Sequence, residues 1–190
     1  MTDSYSTIKV RPGRGRRLAE GAPWAFADEI AMDRRTRNLA PGSLVRLADG
    51  PDILGLAAFN PESKISARLI DRDPDAKVGV DWFARRLDHA LGMRQSNFDT
   101  PFYRLIHAEG DGLPGLIIDR FADALVIQPN AAWLDLRLAD LCTAARDVTG
   151  AKTVVVNATS RTRKLEGLGE YTEIVSGALP GPIEVPMNGA

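Results

Sequence analysis

Between residues 41 and 70 the chain carries three short apolar segments: Leu44-Val45-Arg46-Leu47, residues 53–59 and residues 65–70. They are set off by the turn-forming pairs Pro41-Gly42, Asp49-Gly50 and Asn60-Pro61. Segments this short, with turn chemistry between them, cannot bury themselves as helices and read as strands of one small sheet closing on itself. Upstream, Ile8-Lys9-Val10-Arg11 alternates apolar and basic residues as a half-buried strand does, then runs into the basic, turn-rich Pro12-Gly13-Arg14-Gly15-Arg16-Arg17. Residues 1–75 are therefore expected to form a small β-barrel.

The pattern changes afterwards. Residues 71–81 are acidic and contain Pro74 and Gly79, and Trp82, Phe83, Leu87, Ala90 and Leu91 then recur at helical spacing. A boundary is expected near residue 75 and a helix over about 81–95, so that residues 76–100 form a connecting helix and linker. Residues 103–107, 116–118 and 125–128 read as strands. Residues 133–148 read as one amphipathic helix, with Leu134, Leu138, Leu141, Ala145 and Val148 on one face and Gly150 to end it. An apolar strand at 152–157, a polar stretch at 160–169 and strand-like pieces at Ile174-Val175 and Ile183-Glu184-Val185 complete an α+β domain over residues 101–190. The fold class expected for the whole chain is α+β.

At 190 residues, 44% hydrophobic and 26% charged, the chain has the composition of a globular protein rather than a disordered one. No apolar run approaches the roughly 20 residues of a membrane helix, and Met1-Thr2-Asp3-Ser4-Tyr5 lacks the basic-then-apolar order of a signal peptide, so a cytoplasmic location away from membranes is expected. With Cys142 as the one cysteine no intrachain disulfide can form, and no Cys/His spacing suits zinc, so no metal is expected. The net charge of -1 conceals an asymmetry: residues 1–70 carry eleven Lys/Arg against eight Asp/Glu, the remainder thirteen against seventeen.

The basic excess is densest at Lys9, Arg11, Arg14, Arg16 and Arg17, which meet no acid before Glu20. Clustered cations of this kind either contact phosphates or form a solvated basic face. Trp24 and Phe26 follow at period-two spacing; they can stack on a base, but in an apolar run at least one of them is expected in the barrel core. Gly110-Asp111-Gly112-Leu113-Pro114-Gly115 fits G-x-G-x-x-G, yet the β-branched Ile117-Ile118 that follows and the internal Pro114 favour a turn between strands over the helix a dinucleotide site needs. Cys142 sits beside Leu141 on the predicted helix, where a small core residue is expected, and neither His89 nor His107 has a local partner for a triad. No catalytic or cofactor-binding residue is assigned.

Taken together, Arg11-Pro12-Gly13-Arg14, Arg17-Leu18, Gly21-Ala22-Pro23-Trp24-Ala25-Phe26, Pro41-Gly42 and Asn60-Pro61-Glu62-Ser63 with Ile65 and Arg68 resemble the N-terminal PUA domain of the RlmI-type large-subunit rRNA methyltransferases. The uninterrupted stretch from Arg104 to Arg120, then Arg163, Glu166-Gly167-Leu168 and Val185-Pro186-Met187-Asn188-Gly189, is similar to the central-domain signature of the same family. Ala22 departs from it, since the family often has histidine before Pro-Trp.

The resemblance implies a three-part enzyme: a PUA barrel, a central α+β domain, and a C-terminal Rossmann-like domain. That last domain binds S-adenosylmethionine and makes 5-methylcytosine in ribosomal RNA. On that scheme the catalytic domain is expected beyond residue 190, together with the cysteine that attacks the cytosine ring, and Cys142 matches no motif position. Residues 1–190 are then the part that positions ribosomal RNA, with Lys9, Arg11, Arg14, Arg16, Arg17 and Trp24 as its RNA contacts. The 190-residue chain alone is expected to be inactive. A stand-alone RNA-binding adaptor is the alternative reading, and a homodimer is compatible with either.

Overall fold

The computed structural model describes residues 5–185. The chain divides into two compact units. The first comprises the chain up to Lys77 together with Ala131–Leu136 and Arg161–Gly169; the second comprises Val78–Asn130, Arg137–Ser160 and the chain from Glu170 onward.

In the first unit, β1 (Ser6–Lys9), β2 (Trp24–Ala25), β3 (Ser43–Asp49), β4 (Asp52–Phe59) and β5 (Ala67–Asp71) form one sheet in the order β1-β3-β4-β5-β2. β1 and β3 run parallel and the other pairs antiparallel. Alternation sets the inner face, because successive side chains of a strand point to opposite sides. Ile8, Val10, Val45, Leu47, Ala57, Phe59 and Ala67 point inward and pack with Leu18, Ala25 and Ile30. Two register shifts, at Leu47/Ala48 and Leu56/Ala57, bend the sheet. The segment after β2 then reaches β1: Val10 bridges Ile30, Arg11 N–H donates to the Glu29 carbonyl and Ala31 N–H to the Lys9 carbonyl. These bonds join the two ends of the sheet and leave a small barrel. Two short helices decorate it, α1 (Arg16–Ala19) and α2 (Arg34–Arg37).

The second unit begins with α3 (Val80–Asn97), which buries Trp82, Phe83, Leu87, Ala90 and Leu91. β6 (Phe102–His107), β7 (Leu116–Phe121), β8 (Ala124–Pro129), β9 (Thr153–Ala158) and β10 (Tyr171–Ser176) form its sheet in the order β10-β9-β8-β7-β6. Only β8 and β9 pair in parallel, and a parallel pair needs a crossover. That crossover contains α5 (Leu138–Thr149), which packs along α3 and ends at Gly150 in the left-handed conformation.

Two expectations are corrected. The predicted single helix over 133–148 is two helices, α4 (Ala132–Asp135) and α5, broken at Leu136 and Arg137. The apolar period runs through the break, but Trp133 and Leu134 are buried in the first unit while Leu141, Ala144 and Ala145 are buried in the second, and exposed Leu136 separates them. Ile183-Glu184-Val185 forms no strand: all three residues are exposed and have no ladder partner among the described residues. Residues 186–189 of the final motif, like Met1 to Ser4, lie outside the described residues.

Candidate nucleic-acid interface

The sequence-predicted cations divide into two environments. β1 buries Ile8 and turns Lys9 outward, and the chain then passes to exposed Arg11, whose Nε donates to the Ile30 carbonyl at 3.2 Å. Lys9 and Arg11 line an open groove of about 430 Å³ with Ile8, Met32, Asp33 and Thr36. Arg14 is exposed on the following turn, where Arg14 N–H closes onto the Arg11 carbonyl at 3.0 Å. That turn is held down at Gly15, where a Cβ would overlap the Asp49 carboxylate, so no other residue fits without displacing it. Among the described residues, the side chains of Lys9 and Arg14 make no hydrogen bond or ion pair.

α1 is fixed by fully buried Leu18, which leaves Arg16 and Arg17 facing out. Arg16 pairs with exposed Glu20 one turn on, at 2.8 Å, a solvated pair that contributes little to stability. Arg17 is engaged differently. Its Nη2 donates to the Trp24 carbonyl and to the Glu29 carboxylate, both at 2.9 Å, and its guanidinium lies 5.5 Å from the Phe26 ring centroid. Glu29 is buried and also accepts from the Phe26 N–H at 2.8 Å. Arg17 therefore positions this corner of the barrel.

Trp24 and Phe26 meet edge to face, 6.4 Å apart. The expectation that at least one of them sits in the barrel core is overturned: Ala25 between them points inward and is fully buried, Trp24 is half-buried and Phe26 exposed. Period-two alternation was present, but its phase placed the small residue inside.

A second group of cations was not singled out from sequence. Asp33 caps α2, its Oδ1 accepting the Thr36 N–H at 2.7 Å, and Thr36 bonding holds the Asp33 carboxyl below the usual carboxylate range. The capped helix presents Arg34, Arg35 and Arg37 to solvent from the rim that Asp33 and Thr36 share with the groove. Arg35 reaches Ser6 Oγ at 3.4 Å, whereas Arg34 and Arg37 have no partner among the described residues. The readable signal was an N-cap aspartate followed by three arginines in four positions.

The motif residues at 60–68 and 163–166 meet in a buried network of the first unit. Glu166, 4% exposed, accepts from Ser63 Oγ and Arg68 Nη2 at 2.8 Å and from Asn60 Nδ2 at 3.1 Å. Arg163, 1% exposed, forks onto both Asp135 oxygens at 2.9 and 2.8 Å and donates to the Gly169 carbonyl. The cavity beside Glu166 measures about 10 Å³, room for about one water and no ligand. These residues clip Ala131–Leu136 and Arg161–Gly169 onto the sheet.

The remaining motif candidates offer no chemistry. The loop Gly110–Gly115 joins antiparallel β6 to β7 and opens no helix, so it lacks the aligned N–H groups that hold a nucleotide phosphate. The residues present do not fit S-adenosylmethionine there. His89 and His107 are exposed. Cys142 is buried in α5, and burial pushes its thiol up to about 11, with Glu173 adding to the shift. In the folded chain it is expected to react with a thiol reagent at pH 7.5 about a hundredfold more slowly than an ordinary cysteine. Rapid stoichiometric labelling without denaturant contradicts this. Because the folded thiol is the weaker acid, its contribution to stability is complete below about pH 9 and is lost as pH rises through about 11.

Among the described residues no helix is long and apolar enough to cross a membrane, and no group of three or more His, Cys, Asp or Glu could hold a metal ion. Residues 8–72 match the family model of a PUA-like domain. The chain is 34% identical over 190 residues to the ribosomal RNA large subunit methyltransferase I of Shewanella denitrificans, covering 96% of this chain and 47% of that protein. A solved structure from Streptococcus mutans, described as that of a SAM-dependent methyltransferase, superposes with a TM-score of 0.74 at 17% identity, over 93% of this chain and 44% of the other. A crystal structure described as a methyltransferase complexed with SAH gives 0.68 at 18%, over 80% and 40%. At these identities the two solved structures speak to fold alone. The chain spans about half the length of the curated relatives it matches.

Proposed function

We propose that residues 1–190 are the RNA-binding and substrate-positioning portion of an S-adenosylmethionine-dependent rRNA cytosine methyltransferase acting in the cytoplasm. The observation that carries this is the coincidence of the PUA-like match over residues 8–72 with an exposed cationic groove on that same stretch, in a chain whose relatives are named rRNA methyltransferases. Residues 1–75 serve as the RNA-binding domain, 76–100 as the connecting helix and linker, and 101–190 as the central α+β domain. Lys9, Arg11 and Arg14, joined by Arg34 and Arg37, contact phosphates of ribosomal RNA. Such contacts set register and orientation without reading sequence. Arg16 extends the same surface, Arg17 holds Trp24 and Phe26 in place, and Trp24 offers a ring edge to the strand. S-adenosylmethionine and the group that attacks cytosine belong to the longer protein, and no residue of this chain is assigned to either.

The test incubates the purified chain with an unmodified ribosomal RNA fragment and labelled S-adenosylmethionine. The RNA is expected to be retained on a filter with the protein while no label enters it. Label transfer by the chain alone rejects the division of labour, and failure to retain RNA rejects the binding role.

A further inference from the structure

A second surface, in the second unit, has the chemistry of a nucleobase site. The last turn of α3 ends at Phe98, whose N–H donates to the Arg94 carbonyl at 2.9 Å and whose backbone is extended, so the ring leaves the helix there. That ring is 48% exposed although it is large and apolar. It stacks on Tyr103 with centroids 5.9 Å apart and planes 21° from parallel. Tyr103 is paired with Arg120 across β6 and β7, so the two side chains share one face of the sheet, and Arg120 Nη1 donates to the Tyr103 hydroxyl at 3.4 Å.

The rest of the Arg120 guanidinium donates to the backbone carbonyls of Ala122 and Thr149. Its hydrogen-bond partners are all neutral, and Asp123, the carboxylate on which its charge acts, is itself paired with Lys152 at 2.7 Å. Phe98, Tyr103 and Arg120 line an open pocket of about 330 Å³ with Gln95, Asp99 and Thr100. An exposed stacked ring, a cation held by neutral groups and a concavity at the small end of ligand sites are the three elements a base and its phosphate require.

We propose that this pocket takes a nucleobase, stacked on Phe98, with its phosphate directed to Arg120. Asp99 accepts from exocyclic amino groups, which favours adenine or cytosine over uracil. The inference rests on the RNA-binding reading only for the source of the base, since a free nucleotide has the same chemistry as one residue of a single strand. On an RNA strand the pocket adds a base-dependent contact to the sequence-independent phosphate contacts of the first unit.

The experiment uses Phe98→Trp as a reporter, read against the fluorescence of the three native tryptophans. Titration with AMP or CMP is expected to quench the added signal, UMP to do so more weakly, and adenosine lacking phosphate to bind roughly tenfold more weakly than AMP. Phe98→Ala is expected to weaken binding of a short single-stranded RNA roughly 5- to 100-fold, with an abasic strand insensitive to the change. Quenching by AMP but not by RNA assigns the pocket to free nucleotides; it upholds the site and counts against the RNA source. No quenching by any nucleotide or strand, with Phe98→Ala binding RNA as the wild type does, overturns the proposal. Variants lacking the first unit's cations separate the two readings, because they lose RNA affinity while leaving the AMP titration unchanged.

Discussion

Glu166→Ala is expected to lower the stability of the first unit by about 3–5 kcal/mol, the largest effect of any single substitution considered. The carboxylate sits almost fully buried among Ser63, Asn60 and Arg68, and Arg68 itself is 11% exposed at its side chain. Removing Glu166 leaves a guanidinium and two polar side chains without this shared acceptor, in a cavity with room for about one water. Glu166→Gln keeps the shape and one carbonyl acceptor but not the charge, and is expected to lose about half as much. A double variant with Arg68→Ala is expected to lose less than the sum of the two single changes, because the second substitution removes the charge that the first strands. Urea unfolding followed by tryptophan fluorescence checks this, since Trp133 lines the same cavity. A Glu166→Ala midpoint indistinguishable from the wild type removes the network from the account of the fold.

The second large effect concerns charge. Lys9, Arg14, Arg34 and Arg37 are exposed and have no side-chain hydrogen bond or ion pair among the described residues, so replacing all four with alanine removes no polar interaction of the fold. If each meets a phosphate, their loss removes about three units from the slope of log affinity against log salt, at roughly 0.7 per contact on a single strand. Arg17→Ala behaves oppositely. It strands the buried Glu29 and frees the Trp24 and Phe26 rings, so the melting midpoint falls while the salt slope changes by less than one unit. A quadruple variant with wild-type slope would falsify the assignment of this surface to phosphates.

The three strand segments of residues 44–70 were legible because their lengths and turn pairs leave no other solution, and α3 because five apolar residues, four of them large, recur at helical spacing. Periodicity failed where one pattern served two packing partners, as at α4 and α5, since spacing records that a side chain is buried but not against what. At Ile183-Glu184-Val185 β-type residues were present without a neighbouring strand, and propensity without a ladder makes no sheet. The cationic surface was legible as charge; its internal pairing was not. That Arg17 is tied to Glu29 while Lys9 and Arg14 are unengaged depends on how the segment after β2 returns to β1. The Glu166 network joins residues 106 positions apart, which local sequence cannot express. Its members stood out only as motif positions.

Backbone hydrogen exchange of the chain, free and bound to a ribosomal RNA fragment, locates the contact surface without any substitution. Protection is expected to rise at residues 9–17 and 33–37, around the groove between β1 and α2. RNA binding with no added protection in either segment contradicts the cationic groove as the site.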